Sequence, residues 1–391
     1  MPWQQVRPMD ERVQFIADCI EGDEPFSRLC ERYGVSRKTG YKWVRRYAEV
    51  GPPGLIERSR RPHTNPEQIP YAVREQVLAL RGSPRDPRGP KKIQRLLQWR
   101  FPEQPPPSKT SIYNILKAAG RIEPRRRRRR VEPTQQAFAP AHEPNDLWSV
   151  DFKGQFKLGD GPWCYPLTVM DHASRYLLGC QGLGGTGYHA SQAVFERLFR
   201  EYGLPARIRS DNGAPFASTA TAGLSRLSIW WIKLGIQPER ITPGRPQQNP
   251  RHERMHRTLK RAATYPVAAN FAEQQAQFDT FRDEYNEQRP HESLGQDLPR
   301  TLYRRSQRQM PSQLPVWTYP SHVEVRRVSN TGVVYWHNKQ LYVGYVLHGE
   351  DVALEQVDER LWVVSFGPVR LGQVKDQPTG KHRDDYLTLK V

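Results

Sequence analysis

The pattern of apolar and polar positions changes period several times along the chain, and each change marks a different kind of element. Residues 10–22, 25–34 and 36–50 (DERVQFIADCIEG, PFSRLCERYG and SRKTGYKWVRRYAEV) each read as a helix. Gly34, Val35 and Ser36 make a short turn between the second and third, with Ser36 placed to cap the third, so a helix-turn-helix is predicted. A similar plan recurs over residues 71–82, 89–100 and 108–122. There Ser108 is the expected cap and Ile112, Ile115, Leu116 and Ala119 the expected core stripe.

Beyond residue 145 the period drops to two. In DLWSVDFKGQFKL, Trp148, Val150 and Phe152 point to one side, and Ser149, Asp151 and Lys153 to the other, as in a strand. Strands over residues 164–171 and 175–182 complete a three-strand meander. A helix over residues 189–203 then leads to the short strand ARIRSDNG, which a helical crossover makes parallel to its partner. Asn249 and Pro250 open a helix with Met255, Leu259 and Ala262 on one side and Glu253, Arg257 and Lys260 on the other. Another helix follows, with Phe271, Phe278, Phe281 and Tyr285 on its core side. From about residue 320 six short strands separated by turns predict a small β-barrel.

Charge narrows the function. The 391 residues carry 60 Lys and Arg against 41 Asp and Glu, a net charge of +19, which implies a polyanionic partner. No apolar run is long enough to span a membrane and the N-terminal stretch lacks a signal-peptide core, so a cytoplasmic protein is expected. The four cysteines, Cys19, Cys30, Cys164 and Cys180, have no metal-ligand spacing and are expected to be reduced and packed. On the third helix, Arg37, Lys38, Tyr41, Lys42, Arg45 and Arg46 are candidate DNA contacts, and Lys109, Thr110 and Tyr113 are their counterparts on the sixth. Between the second helical module and the strands, Arg125, Arg126, Arg127, Arg128, Arg129 and Arg130 lie in a Pro-broken linker suited to contacting phosphates.

Three carboxylates stand out. Asp151 sits in mid-strand, where Asp is disfavoured. Asp211 follows a strand at the carboxyl end, where ligands collect in open α/β sheets. If the two strands are neighbours, the acids need a cation or a proton between them. Glu253, taken alone, reads first as half of an i,i+4 Glu–Arg pair on a solvated face, stabilising the helix by roughly 0.2–0.5 kcal/mol. Asp171 reads as a turn residue and the pair Trp230 and Trp231 as core. His252 and His256 flank Glu253 and suggest a metal or acid/base role, although phosphate contact or simple exposure explains each and is the preferred reading.

Taken in order, Asp151 in WSVDF, Asp211 in SDNGAPF and Glu253 in QQNPRHERMHRTLK resemble the D, D, E triad of bacterial insertion-sequence transposases with a retroviral-integrase-type core. YNEQRPHESL, residues 285–294, resembles a segment that follows that core. The interval from Asp211 to Glu253 holds 41 residues, several more than the commonest spacing, through the segment STATAGLSRLS, and Pro250 stands where Gly is usual. The resemblance implies an RNase H-like fold, with Asp151, Asp211 and Glu253 holding two divalent ions, Mg2+ or Mn2+, and double-stranded DNA cut and joined at element ends and target. Arg257 and Lys260 would hold the approaching DNA, and a homo-oligomer would form on it. The division expected is a helix-turn-helix domain over 1–60, a second over 66–123, a linker over 124–144, an RNase H-like core over 145–305 and a β-barrel over 318–391. The rival readings are a nuclease of the same fold and a DNA-binding regulator that has lost catalysis.

Overall fold

The structure is a computed structural model that describes residues 8–58, 68–82, 87–122, 138–242, 248–376, 386–387 and 389–390. Arg125 to Arg130 therefore lie outside the described residues. The chain divides into two compact units, residues 1–69 and 70–391.

In the first unit, α1 (Pro8–Glu21), α2 (Phe26–Arg32) and α3 (Arg37–Val50) close on Phe15, Ile16, Leu29, Cys30, Trp43 and Leu55. The Ser36 hydroxyl accepts the Thr39 amide at 3.2 Å and so satisfies one of the free N–H groups that begin α3. Gly40 lets α3 approach α2 closely, because a Cβ there would lie 2.8 Å from the Cys30 sulfur.

In the second unit, α4 (Tyr71–Leu80), α5 (Pro90–Arg100) and α6 (Lys109–Ala118) bury Val77, Ile93, Leu97, Ile112 and Leu116. Ser108 caps α6 through the Ser111 amide. Ala119, expected in the core stripe, is exposed because α6 ends at Ala118 and the chain turns away. All four cysteines are free, three of them buried.

The central sheet contains β1 (Leu147–Phe152), β2 (Phe156–Lys157), β3 (Trp163–Asp171), β4 (Leu177–Leu183), β5 (Arg207–Ser210) and β6 (Gln237–Arg240). β3 runs antiparallel to β1, β2 and β4, while β1, β5 and β6 are parallel neighbours, so the sheet is mixed. The meander and the parallel crossover are as predicted. β6 was not expected from sequence; with Pro238 inside it, it lies at the sheet edge, where a missing N–H is tolerated.

Register sorts the two faces of this sheet. Trp148, Val150, Leu167 and Val169 face α7 (Tyr188–Tyr202) and α8 (Arg226–Lys233), where Phe195, Phe199 and Trp231 are fully buried. Burying each large apolar side chain contributes about 1.5–3 kcal/mol. Ser149, Asp151, Thr168 and Met170 occupy the other face. That polar-sided face is not left to solvent: α9 (Pro250–Ala263) and α10 (Phe271–Glu287) cover it through Met255, Leu259, Phe278, Phe281 and Tyr285.

The six predicted C-terminal strands are β7 (Glu324–Arg327), β8 (Val333–Trp336), β9 (Lys339–Tyr342), β10 (Asp351–Asp358), β11 (Leu361–Phe366) and β12 (Val369–Lys375); β13 (Tyr386–Leu387) is additional. They form two sheets, β12-β11-β10-β7 and β13-β9-β8, and no sheet among the described residues closes into a barrel. Their shared core includes Val334, Trp336, Leu341, Val364 and Phe366. Leu224, Ile229 and Ile232, from the long Asp211–Glu253 interval and α8, join that same core, and Lys233 pairs with Glu350 at 2.8 Å. The extra length thus gives the C-terminal sheets an apolar seat on the central domain. Replacing Leu224 with Ala is expected to cost about 2–5 kcal/mol locally, read as faster amide exchange in β10 and β11 than in β1 and β3. Unchanged exchange would show that Leu224 does not hold the seat.

Candidate active site

The fold brings two of the three acids together by register. β1 and β5 pair as Leu147 with Arg207, Trp148 with Ile208 and Ser149 with Arg209. Asp151 and Asp211 each lie two residues beyond that last pair, at the carboxyl ends of adjacent parallel strands. Asp211 is half-buried, and its Oδ1 accepts the Gly213 amide at 3.1 Å, which fixes the turn after β5. Glu253 lies exposed in the first turn of α9. Burial pushes the Asp151 carboxyl up to about 7 from its ordinary 3.8; the neighbouring Asp211 adds to this and Glu253 contributes less, while the Phe152 amide and Lys153 pull the other way. Asp211 and Glu253 thus both act on Asp151 electrostatically.

Asn249 and Pro250 open α9 as the sequence suggests, but Asn249 makes no side-chain cap and its buried Oδ1 has no hydrogen-bond partner. The buried stripe of α9 is His252, Met255, His256, Leu259 and Ala263, so the two histidines are not exposed phosphate contacts. The polar residues of β1 and β3 explain why. His252 Nδ1 lies 2.9 Å from the Ser149 hydroxyl, and His252 Nε2 and His256 Nε2 each lie 2.7 Å from the Thr168 hydroxyl. Alternation in β1 exposes the signal that sequence reasoning lacked: a polar strand face needs a polar cover, and two histidines four residues apart on one helix can supply it. His256 Nδ1 lies 3.5 Å from Asp151 Oδ2. Burial lowers the pKa of His256, so this contact is not an ion pair.

Asp171 behaves as the turn residue that was expected. Its carboxylate accepts the Asn145 amide, the Ser174 amide and the Ser174 hydroxyl, and it lies outside the acid cluster. Trp230 and Trp231 belong to the core.

The nucleic-acid candidates divide into two sets. Arg37, Lys38, Tyr41 and Arg45 on α3, Lys109, Thr110 and Tyr113 on α6, and Arg257 and Lys260 on α9 are exposed. Lys42 and Arg46 are half-buried instead, with their charged ends 4.1 and 5.2 Å from the Trp43 ring, which leaves less of each free to reach a base. Arg45 also pairs with Glu49 at 3.2 Å.

Models of the integrase core domain match residues 141–246 and 234–299, a homeodomain-like domain matches residues 39–116, and a helix-turn-helix domain matches residues 11–63. An uncharacterized 31.7 kDa protein of insertion element IS407 from Burkholderia multivorans is 30% identical over 48% of this chain and 66% of its own length. A 39.2 kDa protein of insertion element IS476 from Xanthomonas euvesicatoria is 28% identical over 51% of this chain and 56% of its own. The chain thus spans less than two thirds of these relatives. The catalytic core domain of HTLV-2 integrase in complex with magnesium overlays 41% of this chain and 98% of that domain at 12% identity, with a TM-score of 0.31. No helix among the described residues is long and apolar enough to cross a membrane.

The raised Asp151 pKa makes a stability prediction. The folded state holds the Asp151 proton more tightly than the unfolded chain, so this group's stabilisation is full below about pH 3.8 and lost as pH rises through about 7. In chelator-treated protein, Asp151→Asn is therefore expected to gain in unfolding free energy over the wild type as pH rises through that window. Mg2+ added above it is expected to raise the wild-type Tm and leave that of the variant unchanged. A wild-type Tm insensitive to millimolar Mg2+ would count against a metal at these acids.

Proposed function

We propose that this chain, whose core belongs to the integrase core domain family and is joined to helix-turn-helix domains, is an insertion-element transposase that cuts and joins DNA with divalent metal ions. The observation that carries this reading is the placing of Asp151 and Asp211 at the ends of adjacent parallel strands, with Glu253 close enough to raise the Asp151 pKa further, in a chain of net charge +19. An acid cluster amid cations has little purpose in a purely structural role, whereas a metal-dependent nucleic-acid site needs both.

The residues fit the metal. Asp151 is a half-buried carboxylate destabilised as an anion by burial first and by its acid neighbours second, so a cation there relieves a cost already present. Asp151, Asp211 and Glu253 would hold two Mg2+ or Mn2+ ions, oxygen donors being what hard divalent ions prefer. When bound, such ions lower the pKa of water and stabilise a leaving oxygen in phosphodiester displacement.

The protein's own contribution is placement. β1 and β5 fix the two aspartates, and the packing of α9 on the sheet sets where Glu253, exposed in the first turn of that helix, stands relative to them. Arg257 and Lys260, one and two turns beyond Glu253, give the DNA backbone a cationic approach to the acids. The helical modules would bind element ends, with the five-part division drawn from the sequence marking separate tasks. Several copies would assemble on DNA, since joining both ends requires more than one acid cluster.

Asp151→Asn, Asp211→Asn and Glu253→Gln are each expected to abolish Mg2+-dependent cleavage and joining of an element-end duplex while leaving end binding largely intact. Normal joining by any one of the three would remove that residue from the site. End binding without joining by the wild type, under any divalent ion, would favour the regulator.

The reader helices differ in their expected effects. Lys38→Ala, at an exposed position near the start of α3, is expected to cost roughly 1–3 kcal/mol on the element end and less on random DNA if it contacts a base edge. Lys42→Ala, its charge held over Trp43, is expected to weaken both duplexes equally. Titration of specific and random duplexes at several salt concentrations separates the two. Equal losses from Lys38→Ala would make α3 a phosphate clamp.

A further inference from the structure

The hydrogen bonds beneath the acids favour one position for the ring proton of His256. The Thr168 hydroxyl has one proton and three close neighbours: the Asp151 carbonyl oxygen at 3.0 Å, and His252 Nε2 and His256 Nε2 at 2.7 Å each. A carbonyl oxygen only accepts, so making all three bonds requires Thr168 to donate to Asp151 and to accept from both imidazoles. His252 and His256 are both buried, and a neutral imidazole carries a single ring proton. With that proton on Nε2, His252 Nδ1 accepts from the Ser149 hydroxyl at 2.9 Å, a shorter contact for the one hydroxyl proton than the Met170 carbonyl at 3.3 Å, and both nitrogens of His252 are engaged.

His256 is left differently. Its Nδ1 carries a lone pair and faces Asp151 Oδ2, a second acceptor, 3.5 Å away. Two acceptors turned toward each other need a shared cation or proton. Atoms of Asp151, His252 and His256 lie within 4.8 Å of one another, but both His252 nitrogens are already engaged and its ring is wholly buried. His256 is therefore the histidine with a nitrogen to give. It also stands three residues after Glu253 on α9, a Glu-x-x-His spacing that sets both side chains toward one region of a helix surface.

We propose that His256 Nδ1 is a ligand of the divalent ion bound by Asp151, making one position of the site a mixed carboxylate–imidazole one. No proton has to leave His256 on binding, because Nδ1 is already free. An ion with ligand distances of about 2.0–2.2 Å can bridge atoms at this separation. The consequence is selectivity: imidazole suits Mn2+ and other transition ions better than Mg2+. This inference rests on the proposed carboxylate metal site.

The test is electron spin-echo spectroscopy of Mn2+ bound to the full chain without DNA, a readout independent of activity. The expected spectrum shows nitrogen modulation from a directly bound imidazole, altered by isotopic labelling of histidine nitrogen, which needs no variant. The modulation is expected to vanish in His256→Gln, whose amide can replace Nε2 on Thr168 but places no atom at Nδ1, and in His256→Asn if the amide turns its nitrogen to Asp151. Calorimetric titration is expected to show Mn2+ bound more tightly than Mg2+ by the wild type, with most of that preference lost in His256→Gln. Mn2+ that binds, is lost with Asp151→Asn and shows no nitrogen modulation would overturn the role of His256 and leave the carboxylate site intact. Failure of the wild type to bind Mn2+ at millimolar concentration would overturn the site itself and this inference with it.

Discussion

The repulsion between Asp151 and Asp211 is the constraint on which the rest of the site depends. Parallel pairing of β1 with β5 places both carboxylates at the same end of neighbouring strands, and no basic side chain is hydrogen-bonded to either among the described residues. Such an arrangement raises the energy of the metal-free fold and persists only because the sheet around it is over-determined. Two helices pack on each face, with fully buried Trp148, Phe195, Phe199 and Trp231 on one side and fully buried Phe278 on the other. Core packing thus offsets local electrostatic strain, and the strain is what gives a cation its affinity.

The polar face of β1 and β3 has a matching role. Ser149 and Thr168 have backbone carbonyls of Met170 and Asp151 within reach, and His252 and His256 meet the hydrogen-bonding capacity these leave over. Those contacts fix the rotation of α9 about its own axis, and with it the direction of Glu253 in the first turn. Catalytic geometry and buried hydrogen bonding are set by the same helix.

Much of this was legible in the sequence, for identifiable reasons. Period-two alternation marks β1, Ser36 and Ser108 mark two helix starts, and the order of Asp151, Asp211 and Glu253 along the chain singles out the acids. Other features depended on tertiary partners. β6 is four residues long and contains Pro238, so it has no strand signal of its own. The histidines of α9 read as surface residues because a polar partner face is not visible from the helix itself. Lys42 and Arg46 read as free cations because the helix sequence does not show that their charged ends lie over the Trp43 ring. A barrel was inferred from strand count, but closure depends on which edges pair, and the described strands form two sheets. The long Asp211–Glu253 interval looked like a departure from pattern and instead carries Leu224 into the core of the C-terminal sheets.

The central claim is that Asp151, Asp211 and Glu253 converge on divalent metal. Anomalous diffraction from crystals equilibrated with Mn2+ tests it most directly, because it locates the ion without reference to activity. The account predicts anomalous density bounded by the Asp151 and Asp211 carboxylates, with Glu253 turned toward it. Density confined to other parts of the molecule, or ordered acids with no density between them at saturating Mn2+, would contradict it.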